Sequence, residues 1–277
     1  MRYLLFGTGD CYERYKKWFP KESVLALMDN SPKKQGGKID GLPVMAPKEA
    51  LCLPYDQIVI LSFYVKEMRR QLIALGAEAG KISHFYDLHA LLMRQEKRKR
   101  ALYYWEYEQP AEIASNRSEK KVLLLSYDLN LGGPSLALLH AAIVLKQNGW
   151  KPVYASMIDG PLRERLMREK ISVVIDENLQ IETMQESLWV RKFDLIICNT
   201  INYYVFLSDR PENIPIVWWL HDSEFFYDGV DKKKLKGMNQ KNLRILSVGP
   251  VPKRAMRKYL PNVEISDFLY GVEMCDE

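Results

Sequence analysis

The chain has 277 residues, 47% of them hydrophobic and 27% charged, with a net charge of +5. This fits a soluble globular chain of about two domains, and the 11% aromatic content argues against a largely disordered one. The charge excess is too small for a nucleic-acid footprint, no stretch reaches the ~20 apolar residues that cross a bilayer, and Cys11, Cys52, Cys198 and Cys275 stand too far apart for a zinc site or disulfide framework.

Residues 2–6 read as a buried strand, entered at once and without the cleavage pattern of a signal peptide. Gly7-Thr8-Gly9 follows, then a helical stretch over 10–18. A second apolar run, 24–28, ends at Asp29-Asn30-Ser31-Pro32. Residues 33–41 are rich in Gly and Lys and read as a loop or hairpin. A short strand at 41–44, helical turns at 47–51, a strand at 57–62, a helix at 66–75 closed by Gly76 and a strand at 81–85 complete a small parallel α/β domain over 1–88.

Residues 89–119 read as a linker helix and connector, carrying a basic run at 94–100 and then Tyr103-Tyr104-Trp105. The run has two readings, a solvated helix face and a contact with an anionic membrane surface through 94–105. A second α/β domain spans 120–277. Its strands are expected at 122–126, 152–156, 173–175, 194–199, 216–220, 243–248 and 264–268, and its helices at 135–147, 160–170 and 252–259. The predicted fold class is therefore α/β, two Rossmann-like parallel-sheet domains in tandem.

The first domain carries one candidate site. Strand, Gly-x-Gly, then helix is a setting in which Gly7 and Gly9 let a phosphate approach the backbone. Asp29, 20 residues after Gly9, stands where a carboxylate accepts from ribose hydroxyls. Tyr12 replaces the third glycine of the dinucleotide fingerprint, where it would crowd a pyrophosphate or stack on a base. With no catalytic Tyr/Lys pair in place, a nicotinamide oxidoreductase is set aside, and no cofactor or metal is expected. Leu4-Leu5-Phe6-Gly7-Thr8-Gly9, Asp29-Asn30-Ser31-Pro32 and Gly41-Leu42-Pro43-Val44 resemble the small Rossmann-like domains at the N-termini of bacterial sugar-modifying enzymes, such as sugar-nucleotide acetyltransferases. The resemblance leaves two readings open, a docking domain and a working nucleotide-sugar site.

The second domain carries the other. A buried strand runs into Tyr127-Asp128-Leu129-Asn130-Leu131-Gly132-Gly133-Pro134-Ser135 and then an apolar helix. Gly132 and Gly133 read as a loop that lies flat against a ligand, or as an ordinary tight turn. In order after it come Gly160-Pro161-Leu162, Phe193-Asp194-Leu195-Ile196-Ile197-Cys198-Asn199-Thr200, Val217-Trp218-Trp219-Leu220-His221-Asp222, Ser247-Val248-Gly249 and Leu269-Tyr270-Gly271-Val272-Glu273. Together these resemble the N-terminal, acceptor-side domain of family 4 glycosyltransferases of the GT-B fold.

The resemblance implies retaining transfer of a hexose from a nucleotide-diphosphate sugar to a carbohydrate or lipid-linked acceptor, in cell-surface polysaccharide or glycolipid synthesis. It implies that Gly132 and Gly133 lie near the donor phosphates and the acceptor. His221 then positions the transferred sugar without acting as a general base, and Asp222 orients the imidazole or caps the following helix. Asn199 and Thr200 end a strand and are expected to line the acceptor pocket, while Ser247 and Gly249 shape a turn. In such enzymes the diphosphate is held mostly by a C-terminal domain. The expectation is that this domain is absent from residues 1–277, which alone are inactive. The alternative is a non-catalytic module that binds a nucleotide sugar or docks a partner. The expected location is cytoplasmic, peripheral at the inner face of the membrane if the basic run binds lipid.

Overall fold

The computed structural model of the chain describes residues 1–85, 101–103, 119–180 and 182–268. The chain divides into two compact units, Met1–Glu96 and Lys97–Glu277. The basic run 94–100, Tyr104, Trp105 and the closing stretch 269–273 lie outside the described residues.

The first unit holds β1 (Tyr3–Phe6), β2 (Val24–Met28), β3 (Lys38–Ile39), β4 (Leu42–Met45), β5 (Gln57–Ile60) and β6 (Ile82–His84), in the spatial order β3-β4-β2-β1-β5-β6. Pairing is parallel except for the hairpin β3–β4. Alternation along the strands buries Leu4, Phe6, Ala26, Met28, Ile58 and Ile60 against the helices Pro47–Ala50 and Val65–Ala74. Leu5, Leu27 and Val59, one residue out of phase, are buried too. Both faces are therefore covered, as parallel sheets require. Chain order reverses at β1, which sits between β2 and β5. Gly7 follows it with φ +111°, and a Cβ there would stand 2.5 Å from Leu61 O. Glycine is fixed at this position by the backbone of the neighbouring strand's end, before any ligand is considered.

The second unit holds β7 (Ala101–Tyr103), β8 (Lys121–Asp128), β9 (Lys151–Ile158), β10 (Ser172–Ile175), β11 (Leu195–Asn199), β12 (Ile216–Leu220), β13 (Leu243–Ser247) and β14 (Ile265–Asp267). Among the described residues they form one sheet in the order β14-β13-β12-β11-β8-β9-β10-β7, parallel except for β7. Val122, Leu123, Leu124 and Leu125 of β8 are fully buried, each contributing roughly 1.5–3 kcal/mol. Val122 and Leu124 pack with Leu138, Leu139 and Ala142 of the helix Gly133–Gln147 and with Leu162 and Leu166 of the helix Leu162–Arg168. Leu123 and Leu125 face the opposite cluster, with Phe206 and Leu207 of Tyr204–Ser208, Leu235 of Lys232–Lys236, and Ala255 and Met256 of Pro250–Arg257. The helices thus change face where the strand order reverses, beside β8.

One local expectation is corrected. Ala101–Tyr103, inside the stretch read as a linker helix and connector, is a strand that pairs antiparallel with Val173, Val174 and Ile175 of β10. Three residues are too few to show a periodicity, and the pairing that makes them a strand is with β10, about 70 residues on.

Candidate functional site

Strand order in the second sheet reverses between β8 and β11. In an open parallel sheet, helices on either side of such a point diverge and leave a crevice at the strands' C-terminal ends. Gly132-Gly133 follows β8 there, Asn199-Thr200 ends β11, and His221-Asp222 follows β12. Parallel pairing of β8 with β11 and of β11 with β12 puts all six residues on one edge of the sheet. At about 4.8 Å per strand, β12 is roughly 10 Å from β8, within the span of one sugar nucleotide.

The glycine loop is built by its own sequence. Asp128 closes β8 and accepts from Asn130 N at 3.1 Å and Asn130 Nδ2 at 2.9 Å, while Ser135 Oγ donates to Asp128 O at 3.1 Å. Gly132 is the cap and Gly133 the first residue of the following helix. A Cβ on Gly133 would meet nothing within 4 Å, so the space before it is open. The loop is braced from below by Gly160, where a Cβ would stand 2.5 Å from Leu129 O. Asn199 Nδ2 donates to Pro134 O at 3.0 Å and ties the end of β11 to this loop.

His221 sits beside Trp219, ring centroids 4.7 Å apart, and burial pulls its imidazole down to about 4. It is therefore neutral at pH 7. A neutral imidazole can donate from one nitrogen and accept on the other, which suits sugar hydroxyls rather than a diphosphate. Asp222 is 5% exposed. Burial pushes its carboxyl up to about 7, against the lowering effect of the Ile201, His221 and Asp222 backbone N–H groups. Its Oδ2 accepts from Ile201 N at 2.7 Å. It thus caps the turn that follows β11, whereas the short helix after Asp222 itself, Glu224–Gly229, has Ser223 at its cap position. Ser247 Oγ donates to Gly249 O at 2.6 Å, a turn contact as expected.

In the first unit Gly7 and Gly9 follow β1 and Asp29 follows β2, its neighbour. Asp29 is already engaged. Thr8 Oγ1 donates to its Oδ2, Ser31 N to Oδ1 at 2.8 Å, and Lys34 Nζ lies 3.2 Å from Oδ2 and 2.9 Å from Thr8 Oγ1. Burial alone would raise the Asp29 carboxyl, but these hydrogen bonds outweigh it and hold it below the usual range. Lys34, which sequence reasoning missed, puts a cation at the Thr8–Asp29 pair. Its only sequence signal was its place in a Lys- and Gly-rich loop. Tyr12 is 1% exposed and donates to Asp40 Oδ2 at 2.9 Å, so its ring is packed away instead of being offered to a base.

Residues 118–248 match the family model described as glycosyl-transferase family 4. That stretch is similar to the family 4 glycosyltransferases. It takes in the glycine loop, the Asn199-Thr200 strand end, His221 and the Ser247 turn. Residues 1–83 match a separate model described as C2185-like, N-terminal. No curated protein matches the chain. Among the described residues no helix is long and apolar enough to cross a membrane.

Proposed function

We propose that the glycosyltransferase domain receives the sugar of a nucleotide-diphosphate donor at the C-terminal edge of β8, β11 and β12. In this reading the glycine loop lies against donor and acceptor, and neutral His221 orients the transferred ring. Asn199 and Thr200 line the pocket, and Asp222 acts through the turn it caps. The observation that supports this most is the common edge shared by Gly133, Asn199 and His221 at the reversal of strand order. The chemistry proposed is retaining hexosyl transfer, with a carbohydrate or lipid-linked acceptor in surface polysaccharide or glycolipid synthesis. A leaving diphosphate needs cations, and a neutral imidazole supplies none. Residues 1–277 are therefore proposed to bind without turning over, and sugar transfer by them alone would overturn that part.

A second reading has its own support. Lys34, Thr8 and Asp29 in the first unit form a cluster that suits a nucleotide sugar. Thermal denaturation with UDP, GDP and their hexose conjugates separates the two. A ligand at about 100 times its Kd adds roughly 2.7 kcal/mol. The shift should vanish in His221→Ala and persist in Asp29→Ala. The reverse pattern would favour the first unit as the binding module.

A further inference from the structure

The end of β11 holds two buried oxygen atoms with no protein hydrogen-bond partner among the described residues, Asn199 Oδ1 and Thr200 Oγ1. Asn199 is fully buried and Thr200 is 7% exposed. The orientation of the Asn199 amide is fixed by chemistry. Pro134 O can only accept, so Nδ2 must face it at 3.0 Å, and Oδ1 must turn the other way. Buried polar atoms left without partners are rare and call for an explanation.

Thr200 is also strained. Its φ is +66° with ψ 157°, where a β-branched residue is an outlier. The strain is held by neighbours on β12. Thr200 N donates to Trp219 O at 3.2 Å, Trp218 Nε1 donates to Thr200 O at 2.7 Å, and Asp222 Oδ2 accepts from the next amide, Ile201 N. A backbone forced into this shape by three independent hydrogen bonds, at the reversal point of a parallel sheet, fits a ligand-reading position better than a packing accident.

The missing chemistry identifies the ligand group. Asn199 Oδ1 can only accept, and Thr200 Oγ1 can accept or donate. A phosphate at neutral pH offers mostly acceptors and would face the amide oxygen lone pair to lone pair. A sugar ring offers hydroxyl donors on adjacent carbons. We propose that Asn199 and Thr200 form a subsite for neighbouring hydroxyl groups of a hexopyranose, with Trp218 and Asp222 as positioning residues that hold it in shape. This rests on the reading of the β8–β11–β12 edge as the sugar-binding edge, and it assigns that part of the edge to ring hydroxyls instead of phosphate.

The test is saturation-transfer NMR on residues 1–277 with D-glucose, D-galactose, D-mannose and N-acetylglucosamine, beside thermal denaturation of each variant. Thr200→Val keeps the shape and the β-branching and removes only the hydroxyl. At least one hexose should receive saturation from the wild type. In Thr200→Val that signal should fall about tenfold, the weight of a lost hydrogen bond, while Tm stays at or above the wild-type value, since an unpartnered hydroxyl becomes a methyl. Trp218→Phe should change which ring protons are saturated, a pattern that mere loss of stability does not move. No signal from any hexose, an undiminished signal in Thr200→Val, or a lowered Tm in that variant would each overturn the proposal. If His221→Ala loses the signal and Thr200→Val keeps it, the sugar-binding edge stands and this subsite falls. The opposite result keeps the subsite and removes His221 from the sugar.

Discussion

Gly160→Ala is expected to destabilise the second unit by about 1–3 kcal/mol, a fall in Tm of roughly 2–12 °C for a unit of this size, and to remove its response to nucleotide sugars. The added Cβ would lie 2.5 Å from Leu129 O, 2.7 Å from Leu129 C and 3.1 Å from Asn130 N. All three are backbone atoms that cannot swing aside as a flexible side chain can. Leu129 is also pinned, its N–H donating to Ile158 O at 3.1 Å and its carbonyl accepting from Leu162 N at 2.9 Å. Relief must break one of these bonds or push the chain at Leu129–Asn130, three residues before Gly132. Gly133→Ala is the control. It meets nothing within 4 Å, and alanine is favoured over glycine in a helix by about 0.5–1 kcal/mol, so Tm should hold or rise while the ligand response is lost. Calorimetry with and without nucleotide sugar reads both effects. Equal behaviour of the two variants would contradict the division between a bracing glycine and a ligand-facing one.

The second large effect is a pH dependence that two neighbours hide from each other. Burial raises the Asp222 carboxyl from its ordinary value of 3.8 to about 7 in the folded chain. Between those limits the folded chain holds a proton that the unfolded chain has released. The stability this carboxyl contributes is therefore full below pH ~4 and declines as pH rises to ~7, by on the order of 4 kcal/mol. His221 runs the other way. Its folded value is about 4 against 6.5, so its contribution is lost as pH falls from ~6.5 to ~4, on the order of 3 kcal/mol. In the wild type the two slopes oppose each other over most of that range. Asp222→Asn keeps an oxygen to accept from Ile201 N and has no proton to lose. Urea denaturation should show its stability relative to wild type increasing from pH 4 to pH 7. A difference between the two that does not change with pH would mean that Asp222 titrates as an ordinary carboxylate.

The sheets were legible because their strands are apolar runs bounded by turns. Residues 122–126 could only be a strand buried on both faces, and the glycines after it fixed where the chain turned into a helix. Placing the strand ends in order then brought Gly133, Asn199 and His221 to one edge, since every parallel strand must start at the same side. What escaped was set by contacts between distant residues. Ala101–Tyr103 becomes a strand only through β10. The segment Lys232–Lys236 has one apolar residue among four lysines, and its Asp231 cap, accepting from Lys233 N and Lys234 N, was its sole signal. Asp222 was expected to orient the imidazole or cap the helix after it, and its Oδ2 accepts from Ile201 N, just past the adjacent strand end. The left-handed backbone of Thr200 is imposed by Trp218 and Trp219, and threonine itself disfavours it.

The most direct measurement is amide hydrogen exchange of residues 1–277 with and without the nucleotide hexose that gives the largest thermal shift. Protection should appear together in the segments around Gly133, Asn199-Thr200 and His221, and should be absent at those segments in Gly133→Ala. Protection confined to the segments around Gly7 and Asp29, with none along the edge of β8, β11 and β12, would contradict the account.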